Sequence, residues 1–450
     1  MGGGGAETHT LILGGGLAGL SAALHLEKPG VLVEASNILG GGAASLEHRG
    51  FVLDPGLHVL HFRDPWTQSW ITQCLGVPLL FQQRRCAVAL EGRLVPYPLQ
   101  SHLDALPARL RLRLGGSALR ARWRRHGGNA DPDLASWSSR RFGHALTDAF
   151  FRPYNEKLWG IPLEELSADW VGGGPGGVSA RVVLRGVLGR GAREPGPGFW
   201  YPRDGGIGEV ARAMACRLQS GSGAAGGSCV EVWPSTRLVG LDLSERLATF
   251  QDGRTLRFRR LVSTLPLPDL VSTLEAPPLE VRKAAESLRC RATSFLHVLC
   301  PKPEIGGDLH WAYAPSPEVP FYRVSFTHNL RLGSVPAGWS ALTLELGGVV
   351  ESQGVVANQC LLALVSMGLL EEGDLGTCEA VWGGTQTGYP VHDHARQAAV
   401  AEVIAYLVSR RVACLGRYGR WQYSNMESAL LQGRRVEDSL ERVETGLDAI

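Results

Sequence analysis

Three glycines and one acid carry the clearest chemistry in this chain. Gly14-x-Gly16-x-x-Gly19 follows the apolar run Leu11-Ile12-Leu13 and opens the small-residue stretch Leu17-Ala18-Gly19-Leu20-Ser21-Ala22-Ala23. Glu34 closes the next apolar run, Val31-Leu32-Val33, twenty residues after Gly14. Gly14 permits a tight turn, Gly16 lets backbone approach a pyrophosphate, and Gly19 lets a helix pack on the preceding strand. The helix N-terminus then offers free N–H groups and a positive dipole end to phosphates. Glu34 stands where a carboxylate accepts ribose hydroxyls. This is the chemistry of dinucleotide binding. The spacing alone is a weak signal in a chain with 58 glycines; strand, turn, helix, strand and acid in that order give it weight.

The elements around this motif set its context. A chain of 450 residues exceeds one hydrophobic core, so two domains are expected. Residues 8–76, 200–275 and 385–450 read as pieces of one Rossmann-like α/β domain, with strand-like runs at Val230-Glu231-Val232 and Leu261–Leu265. Residues 77–199 and 276–384 read as an interleaved α+β substrate domain. The tail reads as a strand entering a glycine turn at Cys414–Gly419, then a helix from about Glu427. No internal repeat is present.

Composition excludes several other classes. A net charge of +2 gives no case for a nucleic-acid partner. The nine cysteines show no C-x-x-C pair and no Cys/His cluster at metal-ligand spacing, so no metal site is expected. Scattered single thiols read as buried core residues in a reducing compartment. The start lacks a basic segment followed by an apolar run, and Ala6 stands where a myristoylation motif wants Ser or Thr. The longest apolar run, Cys360–Leu370, falls short of the ~20 residues of a membrane span. The expectation is a soluble, cytoplasmic protein acting on a small molecule, of unknown oligomeric state.

Further blocks give the chain a family resemblance. Glu34 with Gly40-Gly41 after it, together with the N-terminal motif, resembles the FAD-binding signature of the amine oxidase and protoporphyrinogen oxidase superfamily. Gly56-Leu57-His58-Val59-Leu60-His61 resembles a flavin-side G-x-H-x-x-H loop of its UDP-galactopyranose mutase branch. Tyr154-Asn155-Glu156-Lys157-Leu158-Trp159-Gly160 through Leu166 is similar to that branch's substrate-side block. Gly416-Arg417-Tyr418-Gly419-Arg420-Trp421-Gln422-Tyr423-Ser424-Asn425-Met426 resembles its C-terminal flavin-contacting segment. Tyr389-Pro390 and Phe321-Tyr322-Arg323 are weaker echoes in the same order.

The resemblance implies FAD as cofactor. The residues implied to contact it are Gly14, Gly16, Leu17, Ala18, Gly19, Glu34, Ala35, Gly40, Gly41, Gly42, Val232, Gly416, Arg417, Asn425 and Met426. His58, Arg417, Tyr423 and Trp159 are the candidate catalytic residues: His58 as flavin neighbour or proton relay, Arg417 as fixed cation, Trp159 and Tyr423 as groups that stack on or bond a substrate. A packed core role for either aromatic, a satisfied buried His58 and a surface ion pair for Arg417 stay open. His61 reads as structural, and Lys157 either pairs an acid such as Glu164 or meets substrate.

The chain also departs from the pattern. Leu57 replaces a glycine in the flavin-facing loop, and a side chain there restricts φ and adds bulk. The strand at Val31–Val33 is short. The stretch Val171–Gly177 has no cation where the mutases carry a mobile-loop arginine for the substrate diphosphate. Three functions follow. The first is a FAD-dependent oxidoreductase passing a hydride from substrate to flavin N5, in which the cofactor carries the chemistry. The alternatives are a mutase-like isomerase using reduced FAD and a non-catalytic FAD-binding scaffold.

Overall fold

A computed structural model describes residues 6–123, 132–171, 180–188, 197–221, 229–331, 333 and 335–446. Two seven-stranded sheets organise them. The first is centred on strand β1 (Ala6–Leu13), which enters helix α1 (Leu17–His25) and returns as strand β2 (Gly30–Val33). β1 pairs in parallel with β2 on one side and with Thr255–Ser263 on the other. β2 pairs in parallel with Val230–Trp233, and Val412–Cys414 adds in parallel beside Thr255–Ser263. Leu11, Ile12 and Leu13 are all essentially inaccessible, as expected of a parallel strand covered on both faces. α1 lies on one face, where Ser21 Oγ donates to the Leu430 carbonyl at 2.7 Å and fixes the helix Met426–Arg434 against it.

The second sheet is mostly antiparallel, in the order Glu379–Pro390, Cys290–Cys300, Ser340–Gly347, Arg323–Phe326, Trp311–Tyr313, Cys86–Leu90, Arg93–Pro96. The apolar run at Cys360–Leu370 belongs largely to helix Gln353–Ser366, which buries Ala357, Cys360, Ala363 and Leu364 against this sheet. Among the described residues no helix is long and apolar enough to cross a membrane. Two of the expected domain boundaries fall inside strands. Phe199–Pro202 runs through 199/200 and Glu379–Pro390 through 384/385, and each is hydrogen-bonded to a neighbouring strand along its length.

The cysteines depart from expectation. Cys300 and Cys378 form a disulfide between the adjoining ends of neighbouring strands, and Cys74, Cys216 and Cys229 are exposed. That pairing removes the cysteine argument for a reducing compartment. The glycine stretch 172–177 lies outside the described residues, so the missing cation there has no structural counterpart to report.

Candidate functional site

A cavity of about 740 Å³ runs from the β1–α1 turn to the second sheet. At its first end the glycines act by what they lack. Gly14 has φ +99°, a conformation open to glycine. A Cβ on Gly19 would collide with the Gly14 carbonyl oxygen, so Gly19 seats α1 on its strand and does not itself line the cavity. Gly16 and Gly42 line it, and a Cβ on either would meet nothing within 4 Å. Gly40 N–H donates to the Gly15 carbonyl at 2.8 Å, docking the second glycine loop on the first. Gly16 caps α1 without any side-chain bond, which leaves the first-turn N–H groups available beside Leu17 and Ala18.

Glu34 braces this end. Its Oε2 accepts Gly15 N–H at 2.7 Å and its Oε1 accepts Ser36 N–H at 2.8 Å. Each oxygen retains a further lone pair for a hydroxyl. Ala35, Gly40, Gly41, Gly416, Asn425 and Met426 also line the cavity. Gly416, at φ +80°, donates its N–H to Gln432 Oε1 at 2.7 Å. Asn425 caps the following helix by accepting Ser428 N–H at 2.8 Å. Val232 is placed differently: it is half-buried on Val230–Trp233 against the core beside α1 and does not line the cavity.

Buried acids fix the loop carrying His58. Asp54 accepts bonds from Ser45, Tyr201 and Ile207, and burial pushes its carboxyl up. Glu427 accepts Arg63 and Asp64 N–H groups at 2.8 to 3.1 Å. Between them Glu345 accepts Leu57 N–H at 3.1 Å. Burial, then the Arg417 charge, pushes His58 down to about 4, so its imidazole is neutral near pH 7. Its Nδ1 is buried with no hydrogen-bond partner. Leu57 is thus used through its backbone N–H, which any residue supplies.

Arg417 lines the cavity and donates twice to the Ser424 carbonyl, at 2.7 and 3.2 Å. Its guanidinium lies 5.4 Å from the Tyr389 ring centre and 5.8 Å from that of Tyr423. No carboxylate is within ion-pair distance of it among the described residues, so the surface-pair reading does not hold there. Tyr423 is 54% exposed, outside the cavity lining, with its ring 5.3 Å from Trp170.

Two substrate-side expectations need correction. Trp159 is 1% exposed, with its ring edge-on to Trp170, Tyr389 and His392, and reaches the cavity only through Tyr389. It is a packed side chain because its place at the end of helix Arg152–Trp159 turns it into the core. Lys157 meets neither an acid nor the cavity. Its Nζ donates to the Ser316, Val319 and Phe321 carbonyls, each at 2.8 Å, while Glu164 pairs with Arg152.

Sequence reasoning missed Glu345, Arg237, Thr264 and Phe295, all of which line the cavity. Glu345 left a signal: it is the single acid in the otherwise apolar or hydroxylic strand Ser340–Gly347, and a buried carboxylate needs a partner. That partner is Arg323, which grips it at 2.6 and 2.7 Å.

Comparisons with known proteins bear on the family and the fold. The family model for flavin-containing amine oxidoreductases matches residues 17–345. The fold is similar to a crystal structure of reduced UDP-galactopyranose mutase, at 24% identity and TM-score 0.87, covering 97% of this chain and 96% of that one. A putative protoporphyrinogen oxidase from Exiguobacterium sp. matches at 15% identity and TM-score 0.68, over 97% and 100% of the two chains. A fatty acid isomerase from P. acnes matches at 13% identity and TM-score 0.60, over 96% and 98%. A mutase, a putative oxidase and an isomerase thus share one fold, and fold alone does not select among them.

Proposed function

This chain belongs to the family of flavin-containing amine oxidoreductases, and from that premise we propose that it is a FAD-dependent oxidoreductase acting on a small molecule. The observation that carries this reading is the continuity of the cavity from the glycine turns to His58 and Glu345. Its residues fit the cofactor: Gly16 and Gly42 leave a cradle a Cβ would fill, and Glu34 keeps acceptor capacity toward a ribose. FAD, when bound, supplies hydride acceptance at N5.

The chain's own residues bind, orient and exclude water. Backbone N–H groups of Gly16–Ala18 and Gly41–Gly42 would hold the pyrophosphate, since those of Gly14, Gly15 and Gly40 bond Val33, Glu34 and Gly15. Asn425 and Met426, which line the cavity beyond the pyrophosphate, would contact the cofactor there. Neutral His58 stands at the far end as an acceptor or donor without adding charge. Arg417, clamped by the Ser424 carbonyl, holds a fixed positive charge on the wall shared with substrate.

A second reading, a mutase-like isomerase using reduced FAD, draws on Arg417. A cation with no carboxylate partner among the described residues, flanked by Tyr389 and Tyr423, suits a diphosphate. The absorption spectrum of purified protein separates the readings. The oxidoreductase predicts a yellow protein bleached anaerobically by its own substrate among screened amines, porphyrinogens and polyenes. The isomerase predicts no such bleaching, but interconversion of UDP-galactopyranose and UDP-galactofuranose after dithionite reduction. A yellow protein inert in both assays would favour a scaffold, and one that cannot take up FAD would sink all three.

A further inference from the structure

Arg323 and Glu345 lie under the flavin-facing loop as an ion pair in which Glu345 is enclosed and the Arg323 side chain is 15% exposed. Glu345 is 1% exposed, and its carboxylate accepts four bonds: Leu57 N–H, Tyr322 O–H and two from the Arg323 guanidinium. The two charges are unequally placed. Glu345 lines the cavity beside His58, Phe295 and Pro55, whereas Arg323 stands behind it and is not part of the lining. A buried pair of this kind is weak as a stabilising device, since desolvating both ions offsets most of their attraction. It is effective as a fixed local dipole, because charges act strongly where water is excluded. The glycine turns occupy the pyrophosphate end, so the wall formed by Glu345, His58 and Phe295 faces the other end of the cavity.

We infer that Arg323 and Glu345 are positioning residues for the flavin ring: Glu345 holds the His58 loop through Leu57 N–H, and cancels the Arg323 charge that would otherwise raise the ring's electron affinity. This rests on the flavin reading but not on any substrate. Reduction places negative charge on the ring, so an uncompensated cation behind the wall favours the reduced form. A purely structural role predicts no particular sign.

The experiment is the midpoint potential of the FAD-loaded protein, measured by dye equilibration without substrate, so failure of the oxidoreductase assignment leaves it interpretable. Glu345→Gln keeps the side-chain shape and an acceptor for Leu57 N–H, and Arg323 cannot deprotonate. The expected result is a shift of the reduction equilibrium toward reduced flavin by at least tenfold (~30 mV for a two-electron couple). In the double variant Glu345→Gln/Arg323→Met the value returns to within threefold of wild type. Arg323→Lys, which keeps the charge, stays within threefold as well and covers the case in which Glu345→Gln does not fold. An unchanged or lowered potential in Glu345→Gln overturns the inference. So does a shift that persists in the double variant, or a tenfold shift in Arg323→Lys.

Discussion

At one end of the cavity Gly14, Gly16, Gly40 and Gly42 line the wall with Gly19 behind them, and backbone N–H groups make the polar contacts, to a neighbouring carbonyl or to the Glu34 carboxylate. At the other end Glu345 lines the wall with Arg323, Tyr322 and Lys157 behind it, and each contact is made by a long side chain reaching another element. The first end works by omission and tolerates almost no added atom where backbone meets backbone. The second works by charge buried in a sheet, and its stability depends on every ion finding its partner. The same cavity therefore has a steric end and an electrostatic end, and they should fail differently.

The largest effect should separate two glycines three residues apart. Gly19→Ala drives a Cβ into the Gly14 carbonyl and must lift α1 from its strand, at a cost of about 3 kcal/mol or more. Gly16→Ala points into open cavity. Thermal unfolding of flavin-free protein should show a large loss for Gly19→Ala and almost none for Gly16→Ala. A FAD titration should then show Gly16→Ala weakened at least tenfold. Equal unfolding losses in both would mean that this end is not governed by where a Cβ falls.

At the electrostatic end, Lys157→Met should cost about 3 kcal/mol, since the Val319 and Phe321 carbonyls lose the Lys157 donor at once while Ser316 keeps Val319 N–H. Chemical denaturation of the two proteins at pH 7 measures it. FAD affinity should stay within about twofold, because Lys157 is not in the cavity wall. A loss of FAD binding without a loss of stability would place Lys157 in the site after all.

These two ends also differ in how they could be read beforehand. The Gly14–Gly19 motif and Glu34 are close in sequence and each has one steric or hydrogen-bonding reason, so local spacing exposes them. The Gly416–Met426 segment was found as a contiguous block for the same reason. Glu345 reaches Arg323 across 22 residues and Leu57 across 288, and Lys157 reaches Ser316 across 159. No local pattern encodes such pairings; they follow from sheet order. Trp159 shows the converse difficulty. Its block was legible, but whether an indole faces a ligand or the core depends on where the helix docks, and it docks with that ring enclosed by Tyr389, His392 and Trp170. The Cys300–Cys378 pair, 78 residues apart, became visible only with the strand register.

Acid should distinguish the ends next. His297, His310 and His392 lie in or beside the second sheet, and burial first of all pushes each down to about 4. Between pH 4 and 6.5 the unfolded chain binds protons that the folded one refuses, so stability falls as pH drops through that window and is level above it. His392 is the cleanest test, because neither ring nitrogen has a partner to lose. In His392→Phe the ring contacts to Trp159 and Trp170 persist, and the variant should gain about 2 kcal/mol relative to wild type on going from pH 8 to pH 5. Taking the difference between the two pH values removes the cost of fitting a larger ring. No pH-dependent gain would mean that His392 charges freely in the folded state.

The smallest effect should lie at Tyr423, where the electrostatic end opens to solvent. Its ring touches Trp170 and Arg417, yet the residue is 54% exposed. Tyr423→Phe keeps the aromatic face that Arg417 lies against and removes only the hydroxyl. Unfolding free energy should therefore change by less than about 0.5 kcal/mol, as for most surface substitutions, and FAD affinity should hold. If that hydroxyl meets substrate, KM alone should rise by a few-fold, which is about what one solvent-accessible hydrogen bond contributes. A stability loss above about 1 kcal/mol would instead make Tyr423 part of the packed wall, extending the buried electrostatic end out to the protein surface. A fall in kcat with KM unchanged would move its hydroxyl from substrate binding to the reacting atoms.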